Sequence, residues 1–448
     1  VPDSIAGVVA RLHDYNGPPH YTRTATGWYF DGGNDYAELP FGTRVLGGAI
    51  TIEAVVKWNA FNTMTRIFEC GNGANQNNIF LGHTGVLASN ALTFGIGGDI
   101  NGVQTTKSLS APTAVALGVR YHIVATVSSA TMIIYVNGVQ KAFSSAGHEP
   151  AAVARSSCYI GMSPNVGDGF FSGEVSYLKI YAGAMTQAEV TAAYTTSFPI
   201  LEYFWDFTGK TGLTSVIDSI SGKSQTIGNT FLTDKSGIAA NLQSGGALLT
   251  DDGVTCDGTN ECVDLDLDAE IIGGPITIEV VAKWNSFVGS SGNTQAAVFD
   301  CSSNTNDHNL ALFNRQSQGQ LVWYVKDDTS TLSELQTPYD ALGATGGSWR
   351  HIVATAVGTH STIYIDGDKV AEDLTGGREP SAVARGVCSV GRTVWGQFLD
   401  GEVKYLKIYS GAMTPAQVTA AWFPTVLTAM SPSLIVISTT TLITFVFQ

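Results

Sequence analysis

The apolar positions of this chain fall into short alternating runs rather than helical stripes. In "GEVSYLKIY" (173–181), Leu178 and Ile180 share one side, while Tyr177 and Lys179 take the other. The same alternation returns in "GEVKYLKIY" (401–409), with Leu406 and Ile408. A period of two predicts a strand with one buried face. "TIEAVVKW" (51–58) and "IVATV" (123–127) are dense in β-branched residues, which predicts strands buried on at least one face. Asn137-Gly138 and Asp366-Gly367 each separate two apolar runs. Both pairs tolerate positive φ at successive positions, so each predicts a tight hairpin. Helix signals are confined to Thr186-x-x-Glu189 and Thr414-x-x-Gln417, which read as capping boxes, the second with Pro415 at the first helical position. Both predicted helices run into Phe-Pro, at Phe198-Pro199 and Phe423-Pro424.

These runs are two copies of one unit. "GGAITIEAVVKWNAF" returns as "GGPITIEVVAKWNSF", "YHIVATVSSATMIIYVNG" as "RHIVATAVGTHSTIYIDG", and "EPAAVARSSCYIG" as "EPSAVARGVCSVG". The spacing between copies stays between 226 and 231 residues, too long for a solenoid repeat, and it predicts duplicated domains. The expected division is 1–198, 199–426 and an apolar tail at 427–448. Phe198-Pro199 leads straight into "ILEYFWDFTG", so almost no linker is expected and the units should keep a fairly fixed relation.

The ordered landmarks resemble the laminin G-like branch of the concanavalin A-like jelly rolls. They are Phe30-Asp31-Gly32 to Leu39, Thr51 to Trp58, Tyr121-His122, Tyr135 to Gly138 and Gly173 to Tyr181. In the second copy they are Cys256-Asp257-Gly258 to Leu265, Thr277 to Trp284, His351, Tyr364 to Gly367 and Gly401 to Tyr409. The resemblance implies an all-β fold: two tandem jelly-roll sandwiches, each with one short C-terminal helix, followed by the β-prone tail. For function it implies less, because such modules serve as lectins, adhesion modules and enzyme appendages.

Cysteine positions follow the repeat. Cys70 aligns with Cys301 and Cys158 with Cys388, which suggests one bridge per copy, Cys70–Cys158 and Cys301–Cys388. Cys256 and Cys262 take the places of Phe30 and Tyr36, and a third, local bridge is expected there. Buried free thiols in a reducing compartment are the alternative. Bridges favour a secreted, extracellular protein, as does a chain starting at Val1, from which a removed N-terminal signal is expected. No Asn-x-Ser/Thr acceptor occurs anywhere.

A net charge of −15 argues against nucleic acid, whose phosphates demand a basic surface. Catalysis is not expected. Glycosidases of this fold class carry a close Glu-x-Asp-x-x-Glu set, and none occurs; Glu174 and Glu402 recur singly, as structural contacts. His122 and His351 recur within strands, where a satisfied, partly buried histidine is the simpler reading than a base. Calcium is a candidate cofactor: Asp31, Asn34 and Asp35, with Asp257 and Asn260 in the second copy, offer oxygen ligands in a loop. Turn stabilisation by Asp-Gly accounts for the same residues without metal. Asp264, Asp266 and Asp268 form an acidic ladder, a second calcium candidate. Glycans are a candidate partner through Trp323, Tyr324, Tyr339 and Trp395, which lie in less repeated segments; core packing explains each of them equally well.

After Gln417 the chain carries no charged residue. The tail lacks a stop-transfer charge, is interrupted by Thr439–Thr441 and is β-branched, so strands are expected rather than a stable membrane span. Leu434, Val436, Leu442, Phe445 and Phe447 are its candidate assembly residues, adding strands to the next molecule; folding back on its own domains is the alternative. Two functions follow: a self-assembling structural subunit of a fibre or surface layer, or a monomeric calcium-dependent glycan-binding or adhesion protein.

Overall fold

The computed structural model describes residues 11–14, 22–24, 26–39, 45–73, 76–83, 91–100, 103–198, 200–206, 215–217, 224–228, 248–250, 253–259, 262–265, 267, 271–288, 295–303, 307–315, 319–327, 332–343 and 346–429. The chain divides into two compact units, Val1–Phe198 and Pro199–Gln448. Each is a pair of antiparallel sheets.

In the first unit one sheet runs in the order Val139–Ser144, Thr131–Val136, Arg120–Ser128, Ile50–Ala60, Ser172–Ala182, Trp28–Asp31, Thr22–Arg23. Helix α1 (Gln187–Ser197) lies against its outer face, and we call it the helix-side sheet. The open sheet runs Arg11–Asp14, Asp35–Glu38, Ser157–Ile160, Arg66–Gly71, Ile79–His83, Leu92–Ile100, Val103–Ala111. The second unit repeats this. Its helix-side sheet runs Leu248–Thr250, Gly253–Asp257, Asp400–Ser410, Ile276–Ser286, Arg350–Val357, His360–Ile365, Asp368–Asp373. Ile200–Asp206 also pairs with Asp400–Ser410. Its open sheet runs Ser215–Ile217, Ser224–Gly228, Cys262–Leu265, Val387–Val390, Gln295–Ser302, Leu310–Arg315, Gln320–Lys326, Leu332–Gln336.

The period-two pattern sorts the side chains. From the helix-side sheet Ile52, Ala54, Val56 and Trp58 enter the first core, where they meet Phe68, Leu81, Phe94 and Ile96 of the open sheet. Ile278, Val280, Ala282 and Trp284 do the same in the second. Asn137 and Gly138 have φ of 51° and 77°, and Asp366 and Gly367 of 54° and 85°, the two positive angles of the predicted hairpins. Thr186 and Glu189 form the predicted reciprocal cap of α1. Thr414 and Gln417 do so for α2 (Pro415–Ala429). Whereas α1 stops before Phe198-Pro199, α2 continues through Phe423-Pro424 to Ala429, so residues 427–429 of the predicted tail are helical. Proline at position 424 forgoes one hydrogen bond within that helix.

Cys70 and Cys158 sit directly opposite on neighbouring strands and are joined, as are Cys301 and Cys388. Cys256 is buried; the side chain of Cys262 lies outside the described residues.

A second duplicated fastening was not read from the sequence. The arginine closing "EPAAVAR" and "EPSAVAR" is buried in both units and binds backbone carbonyls instead of a carboxylate. Arg155 donates to Asn77 O at 2.6 Å, Val153 O at 3.2 Å, Ala151 O at 3.1 Å and Leu46 O. Arg385 donates to His308 O at 2.8 Å, Ser381 O at 3.1 Å, Val383 O at 3.4 Å and Ile272 O. Burial pushes both guanidinium groups down to about 10, which leaves them charged at neutral pH. Each planar fork joins the two-stranded ladder at Val45–Leu46 or Ile271–Ile272 to the open sheet. Arg385→Met should therefore cost about 3 kcal/mol or more, since several buried acceptors lose their donor. Urea unfolding reads this, with Arg385→Lys recovering less than half because an ammonium cannot span four carbonyls. A change below about 1 kcal/mol would mean that water takes the place of the guanidinium.

Candidate functional site on the open sheet of the second unit

Each helix-side sheet holds a carboxylate with no solvent exposure beneath its helix, Glu53 in the first unit and Glu279 in the second. The alternation that sends Leu178 and Ile180 into the core brings Tyr177, Lys179 and Tyr181 to the Glu53 side. Oε1 accepts from Tyr177 at 2.6 Å and Lys179 at 3.3 Å and lies 3.1 Å from His122 Nε2, while Oε2 accepts from Tyr181 at 2.5 Å. Around Glu279, Tyr405 donates at 2.8 Å, Lys407 at 2.9 Å and Tyr409 at 2.5 Å, with His351 Nε2 at 3.2 Å. Burial pushes each carboxyl up. The hydrogen bonds from histidine and tyrosine, together with the lysine charge, outweigh it and hold both at about 2. The helices close the clusters: Tyr194 and Phe198 pack on His122, and Trp422 stacks on His351 at 5.8 Å. His122 and His351 are thus fully buried and tied to a carboxylate, in a sealed structural joint rather than a cleft. Glu174 and Glu402 are ion-paired as well, with Arg120 at 3.0 Å and Lys283 at 2.6 Å.

The predicted loop ligands differ in exposure. Asp31 is exposed, and its Oδ1 accepts from the Gly33 amide at 2.7 Å and the Asn34 amide at 3.4 Å. Asp35 is buried, and its Oδ2 accepts from the Asp31 amide at 3.2 Å. Asp257 accepts from the Thr259 amide at 2.8 Å, and Asn260 lies outside the described residues. These are turn-stabilising bonds. Of the acidic ladder, Asp264 pairs with Arg392 at 2.7 Å, while Asp266 and Asp268 lie outside the described residues. Among the described residues no group of three or more His, Cys, Asp or Glu gathers as metal ligands. Beyond Ala429 the tail residues Leu434, Val436, Leu442, Phe445 and Phe447 also lie outside them.

Of the four candidate aromatics, the fold separates two and unites two. Trp323 points inward and is a core residue, and Tyr339 stands 55% exposed on the turn after Leu332–Gln336. Tyr324 and Trp395 meet on the outer face of the open sheet, ring centroids 5.9 Å apart and perpendicular. Trp395 is 39% exposed. Its loop is a tight turn: Gly396 N–H donates to Thr393 O at 2.9 Å, and Gln397 N–H to Thr393 Oγ1 at 3.1 Å. Beneath it the buried Asp300 Oδ2 accepts from Val394 N–H at 2.9 Å. Burial pushes the Asp300 carboxyl up to about 7 against that bond and the Arg392 charge. Phe313 flanks Tyr324 at 6.0 Å, and Arg315 grips Glu334 through both guanidinium arms across the same face. This sets the exposed Trp395 and the part-buried Tyr324 beside the paired Arg315 and Glu334 on one sheet face.

Among the described residues the first unit has no such patch, for a packing reason. Strand register makes Phe80 the counterpart of Ala311 and Gly95 that of Tyr324. The aromatic ring has changed strands: in the first unit Phe80 lies across Gly95, where an added Cβ would be 2.2 Å from Phe80 Cζ. The Arg66 guanidinium then covers Phe80 at 4.6 Å and pairs with Glu69 and with Asp168 from the neighbouring loop. Sequence reading named Tyr324 and Trp395 but missed Asp300, Arg315, Glu334 and Arg392; the signal lay in the Phe80/Gly95 to Ala311/Tyr324 exchange between copies.

Two helix-capped β-sandwiches, each with a cross-strand disulfide, define a tandem all-β architecture. The chain belongs to the concanavalin A-like lectin/glucanases superfamily, whose laminin G-type family model matches residues 31–191 and 257–419. No curated protein matches it. Among solved structures it is similar to domain 4 of an extracellular arabinanase from Geobacillus stearothermophilus, in complex with arabinotriose. That match is 20% identical over 42% of this chain and 90% of the other, with TM-score 0.33. It is also similar to mouse laminin α1 domains LG4-5, 11% identical over 92% and 94%, TM-score 0.28. A third is a sialidase carbohydrate-binding module of Ruminococcus gnavus bound to sialyllactose, 13% identical over 37% and 95%, TM-score 0.29. Among the described residues no helix is long and apolar enough to cross a membrane.

Two measurements check this site description. Glu53 and Glu279 titrate at about 2 in the folded chain against an ordinary value of 4.5. Their contribution is complete above about 4.5 and is lost as pH falls towards 2, on the order of 3 kcal/mol each. Glu53→Gln and Glu279→Gln should lower stability at pH 7 and flatten its fall between pH 4.5 and 2 in acid-unfolding curves. Second, Gly95→Tyr should cost about 1–3 kcal/mol through overpacking. Adding Phe80→Ala should restore most of that loss in thermal unfolding.

Proposed function

We propose that the chain is a non-catalytic extracellular glycan-binding and adhesion protein whose sugar site is the Tyr324–Trp395 patch of the second unit. The observation that carries this reading is the perpendicular ring pair, held by an Asp300-anchored turn and bordered by the Arg315–Glu334 fork. Aromatic faces pack against the apolar faces of sugar rings, while the guanidinium and carboxylate bond to hydroxyls. The close carboxylate set of the fold's glycosidases is absent from the sequence, and two disulfides suit an oxidising exterior. In this reading the first unit is a scaffold: its equivalent face is filled by Phe80 and Arg66.

A second reading, a subunit joining copies through residues 427–448, is favoured by one observation, the exposed Val139 and Phe143 on a sheet edge of the first unit.

Trp395→Ala and Tyr324→Ala should each weaken retention on a cognate glycan column roughly tenfold, about 1.4 kcal/mol, with an unchanged circular dichroism spectrum. Tyr339→Ala should leave retention unchanged. Failure of the full chain to bind any glycan on a broad array, or binding indifferent to both ring deletions, would refute the site.

A further inference from the structure

The helix-side sheet ends on Val139–Ser144 in the first unit and on Asp368–Asp373 in the second, and each edge strand has one pairing neighbour among the described residues. Unpaired N–H and C=O groups along an edge invite a further strand, and charged side chains are the usual guard. The second unit has that guard in Asp368, Lys369, Glu372 and Asp373, with Lys369 and Glu372 paired at 2.7 Å. The first has Lys141 alone. Val139 and Phe143 instead stand 57% and 55% exposed.

The cross-strand register sharpens the contrast. Phe143 faces Ile133 and Val139 faces Val136, whereas Glu372 faces Thr362 and Asp368 faces Ile365. On the helix side Phe143 thus extends Ile133 to the edge, and on the core side Val139 extends Val136, where the second unit has Glu372 and Asp368. The other long edge of the first unit, Val103–Ala111, offers polar exposed positions: Thr106, Lys107, Ser108 and Ser110.

A matching sequence lies in the chain itself. Residues 430–448 contain no charged side chain and two apolar runs, 434–437 and 442–447. The latter has the length of the six-residue edge and places Phe445 and Phe447 on one side by its period of two. We propose that residues 442–447 of a second copy add to Val139–Ser144 as a further strand, with a phenylalanine beside Phe143. The tail leaves α2, whose Trp422 is docked on the second unit, and that unit's own edge is the charged one. With a net charge of −15, copies repel least where neither surface is acidic; this tail carries no charged side chain and this edge carries only Lys141. Because every copy carries both, the contact is heterologous and propagates head to tail. The inference rests on the assembly reading and is independent of the glycan site.

The test places a benzophenone side chain at position 143 of the full chain, in a mixture of light and heavy isotope-labelled protein. Mass spectrometry should find position 143 joined to residues 434–447 of an oppositely labelled copy. Size-exclusion chromatography with light scattering should show mass rising with concentration. Val139→Asp with Phe143→Glu, the charges of the second unit, should weaken association at least tenfold, as should deletion of residues 431–448. Circular dichroism and glycan retention should stay unchanged. Association that survives the tail deletion would defeat the assembly reading itself. Association lost on deletion but indifferent to the edge charges would defeat this docking site alone. Cross-links within one copy, cross-links from edge to edge, or a monomer at every concentration would each overturn the proposal.

Discussion

A carboxylate taken fully out of water costs several kcal/mol unless donors surround it. Both units are built round such a carboxylate. Glu53 and Glu279 each collect donors from two flanking strands, and those donors line up only if the strands keep their register. A slip of one residue would point Tyr177, Lys179 and Tyr181 into the core and leave the carboxylate bare. The helix completes the joint: the ring of His122 or His351 is covered by α1 or α2, and the hairpin glycines lie under the same helices, with no room at Gly367 for a side chain against Trp422. Capping box, hairpin and buried glutamate are therefore one cooperative feature written at three places in the chain.

With that frame secured twice, the remaining surface was free to diverge. The exchange of Phe80/Gly95 for Ala311/Tyr324 conserves ring-plus-small packing across one strand pair while moving the ring to another strand. That move, with a loop two residues shorter between the paired glycines (161–173 against 391–401), brings a tyrosine beside a tryptophan. The counter-charge for the buried acid moves too, from Arg66 on a strand to Arg392 on the loop. A similar division holds at the sheet edges, where one unit is charged and the other apolar.

Much of the frame was legible in the sequence. Alternating runs predict strands whatever lies far away, because period two is set by the backbone alone. Asn-Gly, Asp-Gly and Thr-x-x-Glu are complete within four residues, and the spacing of the repeat paired the cysteines. The candidate site was half legible: Tyr324 and Trp395 stood out, but Trp323 looked the same until the strand's alternation sent it into the core. The roles of Glu53, Arg155 and Asp300 were not legible, since a buried charge is explained by partners 69 to 128 residues away for Glu53 and 94 for Asp300. Local chemistry thus determined which elements form, where they turn and that they form twice. Tertiary structure decided which polar side chains are fasteners and which rings stay in reach of a ligand, because burial and charge compensation are properties of strands brought together.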